Sequence, residues 1–192
     1  MIEKIRENIR EHLGVIEKMC CDETLTVLEK IAGGIVRSVE NGGKVVLAGN
    51  GGSAADAQHI AGEFIGRYLF DRRPLPAISL STDSSVLTCV GNDYSYDDIF
   101  LRQVRALVKT GDVFWGLTTS GNSRNIILAG QAAKELGAVV VGFTGESGGK
   151  FKGICDFCFC SPHTRANRIQ EGHMLAYHVV CELMEARLCL KK

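Results

Sequence analysis

The sequence predicts an α/β fold, a mostly parallel sheet covered by helices, and two observations carry that expectation. Five short apolar runs, "KVVLAG", "PAISLS", "DVFWGLT", "AVVVGFTG" and "CDFCFC", recur from residue 44 onward. Helical patterns such as 97–108 and 123–136 separate them, which is the alternation of βαβ units.

Ahead of the sheet, residues 2–19 and 22–41 read as two helices. In "IEKIRENIREHLGVI", Ile5, Ile9, Leu13 and Ile16 recur at spacings of three and four, so they share one helix face. Asp22 and Glu23 suit the start of the second helix, where acidic groups meet the positive end of the dipole, and "ENGG" ends it. The glycine turn after "KVVLAG" opens a further helix through residue 68, with Ser53 placed to cap it. The last segment, 164–189, reads as one long helix with Ile169, Leu175, Val179 and Leu183 among its apolar positions. No Pro/Gly-rich linker, repeat or low-complexity tract divides the 192 residues, so one domain is expected.

Composition removes several function classes. The chain is 45% hydrophobic, and its 22 Lys+Arg offset its 22 Asp+Glu. Disorder is therefore not expected, and there is no net field for direct nucleic-acid binding. No run reaches the roughly eighteen apolar residues of a membrane span. The N-terminus, charged from its third residue, lacks an export signal, which predicts a cytoplasmic protein. Its eight cysteines then read as reduced, mostly buried thiols. "CDFCFC" looks like a metal motif at first. Cys158 and Cys160 share one face of a strand, but Cys155 is expected to point elsewhere and no second CxxC pair exists, so zinc is not expected there.

In an open parallel sheet, ligand loops lie beyond the carboxyl ends of the strands. Two segments occupy that position. In "GNGGS", Gly49, Gly51 and Gly52 remove side chains at the turn, Asn50 and Ser53 supply short polar groups, and the helix amides can meet an anion. The spacing is neither a dinucleotide fingerprint nor a P-loop, and alone it fits a plain strand-to-helix turn equally well. "TTSGNS" gathers Thr118, Thr119, Ser120, Asn122 and Ser123 before another helix. Together the two loops favour a phosphorylated small molecule over a pair of capped turns. A third polar turn, "GNDYSYDD" at 91–98, could border the same crevice through Asn92 and Asp93, but its residues alone assign no chemistry.

His59 and Glu63, four residues apart, leave the same helix face. Such a pair is an ion pair, a metal site or a proton-transfer site, and a neighbouring anion loop weighs toward the last two. "RIQEGHMLAYHVV" offers Gln170, Glu171, His173 and His178. Gln170 and His178 are separated by roughly 12 Å along a helix axis, which is stretched for one metal ion. His173 reads as a surface or interface histidine, and Met174, Leu175 and Tyr177 as helix packing.

The ordered segments "AGNGGSAADAQHIAGEF", "CVGNDYSYDDIF", "TTSGNS", "FTGESGG" and "RIQEGHMLAYHVV" resemble the sugar isomerase (SIS) domain family, and within it the phosphoheptose isomerases, over nearly the whole chain. The resemblance implies a three-layer sandwich with a five-stranded, flavodoxin-like parallel sheet. It implies a single SIS domain over 1–192, with the helices of 1–41 packed on it and a long C-terminal helix. The implied activity is conversion of sedoheptulose 7-phosphate, a phosphorylated seven-carbon sugar, to D-glycero-D-manno-heptose 7-phosphate through a cis-enediol, in ADP-heptose and lipopolysaccharide core biosynthesis. By the same resemblance His59, Glu63, Gln170 and His178 hold Zn(2+), Glu63 is the base and His178 the acid. Asn50, Gly51, Gly52, Ser53, Glu63, Arg67, Asn92, Asp93, Thr118, Thr119, Ser120, Ser123 and Gln170 match substrate-pocket positions, and a homotetramer with active sites between subunits is implied.

Two departures stand out: Asn167 replaces an acidic residue common before "RIQE", and Thr118 replaces a common serine. A sister group, the DnaA initiator-associating proteins, shares the loops and the tetramer and remains an alternative, as does a non-catalytic sugar-phosphate-binding SIS protein. His178 separates the enzyme from that sister group, which lacks a histidine there.

Overall fold

The computed structural model describes residues 1–189. Two helices, α1 (Ile2–Met19) and α2 (Asp22–Glu40), precede a sheet made of β1 (Val45–Gly49), β2 (Ala77–Ser79), β3 (Val113–Thr118), β4 (Val139–Gly145) and β5 (Phe157–Ser161). Every pairing is parallel, in the order β2-β1-β3-β4-β5. The other helices are α3 (Gly52–Ile65), α4 (Ser84–Asp93), α5 (Leu101–Leu107), α6 (Arg124–Glu135), the short α7 (Gly149–Lys152) and α8 (Ala166–Cys189).

Strand residues alternate between two cores, as side chains on a pleated strand must. Val45, Leu47, Val113, Trp115 and Leu117 face the layer of α2, α3 and α8, whereas Val46, Ala48 and Phe114 face α4, α5 and α6. Helices on both faces make three layers, which is why the strands read as continuous apolar runs. α1 packs outside, tied to α8 by buried Arg168, which donates to Glu11 (2.9 Å) and Asn8 (2.8 Å) and pairs with Glu171.

Several element expectations are corrected. α3 ends at Ile65, not 68, because Arg72 folds back and donates to the Phe64 (2.9 Å) and Glu63 (2.6 Å) carbonyls of its last turn. The expected helix over 97–108 is a 3₁₀ turn at Tyr96–Asp98 followed by α5. Ser95 Oγ donates to Asp98 Oδ2 (2.6 Å), tying that turn. Asn92 and Asp93 end α4, a helix capped by the Asp83 carboxylate (3.0 Å to the Val86 N–H), instead of lying in an open turn.

The cysteines are mostly not buried: only Cys181 is, and Cys20, Cys21 and Cys89 are exposed. Cys20 and Cys21 occupy the connection between α1 and α2, away from both cores. The periodic residues Ile5, Ile9 and Leu13 lie 57%, 55% and 53% exposed, whereas Ile16 packs against the core beside buried Val15 and Met19, so only the first turns of α1 face their apolar residues outward. Among the described residues no helix is long and apolar enough to cross a membrane.

Candidate active site

β1 and β3 are neighbours whose following helices leave to opposite faces, which opens a crevice at their carboxyl ends. Beyond β1, Gly51 takes φ 55°, a left-handed value that suits glycine, and the chain turns into α3. Ser53 sits inside the first turn of α3 with its side chain buried. No side chain caps that helix, so the expected Ser53 cap is not formed. A Cβ on Gly52 would lie 2.5 Å from Gln170 Nε2 and 2.9 Å from its Oε1. The bare glycine therefore lets the Gln170 carboxamide rest on the loop.

Asn50 joins the loops. Its Nδ2 donates to Asn125 Oδ1 and its Oδ1 accepts from Asn125 Nδ2, each at 2.9 Å, while the Tyr96 hydroxyl also donates to Asn50 Oδ1 (2.9 Å). Asn125 is buried at the start of α6, so the β1 loop is fastened to the helix that follows the β3 loop. There Thr118 Oγ1 and Ser123 Oγ share a hydrogen bond of 2.9 Å, and Ser120 Oγ accepts from the Asn122 N–H (3.1 Å). Thr119 and Ser120 line a hollow of about 230 Å³ with Gly145, Glu146, His163 and Ile169. Asp93, bonded to Asn92 (2.8 Å), lines a different hollow beside α4 and α5. Arg67 is exposed just past α3, and Asn167 is exposed in the first turn of α8.

The second half of the site comes from α3 and α8, which run side by side in the same direction. His59 Nε2 lies 3.0 Å from Glu63 Oε1, and His59 Nδ1 lies 2.9 Å from the Tyr177 hydroxyl. One donor atom from each of His59, Glu63 and His178 falls within 4.8 Å of the others. The His178 ring stacks on Tyr68 at 5.8 Å. Burial pushes the His178 pKa down and His59 beside it adds to this, against the pull of Glu63. A neutral imidazole is thereby favoured, the form that donates to a metal or accepts a proton. Gln170, at the loop end of the same helix pair, stands roughly 12 Å before His178 along the axis of α8. Two imidazole nitrogens and a carboxylate are a donor set that suits a borderline cation such as zinc.

These side chains are held from behind. Burial, with the Asp56 carboxyl next in weight, raises the Tyr177 phenol well above its usual range and keeps it protonated against His59. Asp56 is buried with Oδ2 unpartnered, and burial pushes its pKa to about 6 against the opposing pull of His59. Below the cluster, fully buried Glu185 accepts from Arg72 Nε (2.7 Å) and from the N–H groups of Tyr68 (3.1 Å), Leu69 (2.7 Å) and Phe70 (3.2 Å). Burial opposes its charge, but the Leu69 N–H and the Arg72 guanidinium outweigh it and hold the carboxyl below its usual range. His173 is not the surface residue expected. It is completely buried, with Nε2 2.9 Å from the Thr144 carbonyl, and burial pushes its pKa down to about 4.

A SIS domain family model matches residues 10–145. A phosphoheptose isomerase of Burkholderia pseudomallei (strain 1710b) is 50% identical over 182 residues, covering 94% of this chain and 92% of its own. The phosphoheptose isomerase of Aquifex aeolicus (strain VF5) is 48% identical over 190 residues, covering 98% of each. The chain belongs to the phosphoheptose isomerases. The structure of the phosphoheptose isomerase from Neisseria gonorrhoeae matches with a TM-score of 0.89 at 38% identity, over 96% of this chain and 98% of that one.

Sequence reasoning missed Tyr177, Asn125, Tyr96 and the Arg72–Glu185 pair. Tyr177 carried a usable signal, since it precedes His178 on a helix whose preceding turns bear Gln170. The other contacts join residues 46 to 113 positions apart and leave no local periodicity to read.

Proposed function

We propose that this chain is an aldose–ketose isomerase interconverting sedoheptulose 7-phosphate and D-glycero-D-manno-heptose 7-phosphate. The observation that carries the reading is the convergence of His59, Glu63 and His178 within 4.8 Å, on a helix pair that begins at the glycine loop. The family membership supplies the substrate class. A cluster closed by His178 also favours an enzyme over a DnaA-associating protein or a silent sugar-phosphate binder, neither of which needs a second proton-transfer group.

The chemical problem is a carbon acid that water deprotonates too slowly at neutral pH. The hydroxyls and amides of the two loops hold the phosphate, and that remote binding energy positions the reacting carbons. Glu63 takes the proton from C1 of the ketose and returns it to C2. His178 moves the proton between the C1 and C2 oxygens as the cis-enediol forms and collapses. His59, Glu63, Gln170 and His178 would hold Zn(2+), which when bound stabilises negative charge developing on those oxygens.

The exposed stripe of Ile5, Ile9 and Leu13 supports assembly with further copies, and in a homotetramer with sites between subunits Gln170 need not reach the cluster within its own chain. The whole chain then acts as a single SIS domain with 1–41 packed on it. It works in the cytoplasm, and its product feeds ADP-heptose and lipopolysaccharide core biosynthesis.

The test is incubation of purified protein with sedoheptulose 7-phosphate, following aldose formation with added zinc and with chelator. Glu63→Gln abolishes product while the fold and assembly persist; retained turnover removes Glu63 from the base role. No product from the native chain together with stoichiometric DnaA binding overturns the enzyme reading.

A further inference from the structure

Three cysteines that the crevice chemistry does not use gather at the β5 edge of the sheet. Cys158 and Cys160 project from the same face of β5 with their sulfurs 3.9 Å apart. Cys155 does not point away from them as its sequence position suggests. A Cβ built on Gly142 of β4 would lie 2.4 Å from Cys155 Sγ and 3.2 Å from Cys158 Sγ. Both thiols therefore share the hollow over that glycine. The turn after α7 brings Cys155 there, and its Sγ donates to the Phe151 carbonyl (3.2 Å). All three are free thiols, half-buried, on a cavity of about 450 Å³ that Cys21, Glu146 and Asp156 also line, together with Lys18 and Lys152.

The spacing is informative. Two sulfurs each about 2.3 Å from one ion, at tetrahedral or trigonal angles, stand about 3.8 to 4.0 Å apart. Cys158 and Cys160 already have that separation, whereas Cys155 must swing its sulfur off the Phe151 carbonyl to complete the set. No imidazole joins them, and an all-sulfur set selects soft cations over hard ones. The hydrogen bond that the Cys158 thiol gives to Cys155 is the leading cause that holds it up at about 11, against the opposing bond from Cys160. The bond to Cys158 and burial hold the Cys160 thiol far above its usual range, with Lys152 a lesser opposing pull, so at neutral pH the cluster is protonated until an ion displaces the protons.

We propose that Cys155, Cys158 and Cys160 form a thiolate site for a soft divalent cation of the Zn(2+) or Cd(2+) type, independent of the crevice cluster. On binding, each S–H bond breaks heterolytically, its proton goes to solvent and the sulfur pair forms the metal bond, so no electrons are transferred. The bound ion clamps the turn after α7 to β5.

The experiment is titration of the metal-free full-length protein with Cd(2+), read by sulfur-to-metal charge-transfer absorption in the ultraviolet. The crevice donors contain no sulfur and give no such band. We expect a band that saturates with one thiolate-bound ion per chain, proton release that tracks the band, and a raised thermal midpoint. Cys158→Ser should lose the band while keeping isomerase turnover, and the Cys20→Ser/Cys89→Ser variant should keep it. Should Cys158→Ser fail to fold, Cys160→Ser carries the same test. Absence of the band from the native chain, its full retention in Cys158→Ser, or its loss only in the Cys20→Ser/Cys89→Ser variant overturns the proposal.

Discussion

Glu185→Ala tests how the site is braced. The Glu185 carboxylate is 0% exposed and its partner Arg72 3%, so the change strands a cation out of water. Breaking a buried pair from one side costs about 3–5 kcal/mol. Arg72 keeps the Glu63 and Phe64 carbonyls as acceptors, and the N–H groups of exposed Leu69 and Phe70 can rehydrate. Both effects favour the lower end, about 3 kcal/mol, or a fall of about 6–12 °C in Tm for a chain of this length. Thermal unfolding at one fixed protein concentration is the assay, because self-association makes Tm depend on concentration. Turnover should fall as well, since Arg72 grips the last turn of α3 and Tyr68 stacks on His178. The double variant Arg72→Met/Glu185→Met should recover most of the lost stability by removing both charges. A loss under about 2 °C in the single variant would refute the account.

Three further outcomes follow from other contacts. His173 has a folded pKa of about 4 against a usual 6.5, so the unfolded chain binds more protons between those values. Its contribution of up to about 3 kcal/mol is present above pH 6.5 and is lost as pH falls toward 4. Urea melts across that window should show the slope, and His173→Gln should flatten it; an unchanged slope sinks the assignment. Gly52→Ala should leave stability within about 1 kcal/mol, since only the flexible end of Gln170 must move and alanine favours the helix. Its KM should rise several-fold, and an unchanged KM would show that the Gln170 carboxamide is not needed on the loop. Tyr177→Phe removes the partner of His59 Nδ1 and should weaken zinc binding about 10- to 100-fold by competition titration, with little effect on folding.

Much of the architecture was legible because local pattern encodes it. Apolar runs such as "KVVLAG" mark strands buried on both faces, and glycine and hydroxyl clusters mark the ends of β1 and β3 where the chain turns. His59 and Glu63 were legible as a pair because helical spacing alone puts them together. What stayed hidden depends on chain segments meeting from afar. Nothing near His173 signals burial, because the Thr144 carbonyl that receives it belongs to β4. The reach of Cys155 back to Cys158 depends on α7, a helix of only four residues with no periodicity to detect. Likewise "VLTCV" resembles a strand in composition, and only the Asp83 cap shows that α4 begins there.

The pairing of α3 with α8 carries a rule for chain length. Gly52 meets Gln170 and, seven residues further along both helices, His59 meets Tyr177. A single inserted or deleted residue within either interval would swing everything after it by about 100° and shift it by about 1.5 Å. Imidazole, phenol and carboxamide would then part company together, with no local repair available. Insertions and deletions between 52 and 63, or between 170 and 185, should therefore be absent from every relative that retains the reaction, however far its other connections have drifted in size.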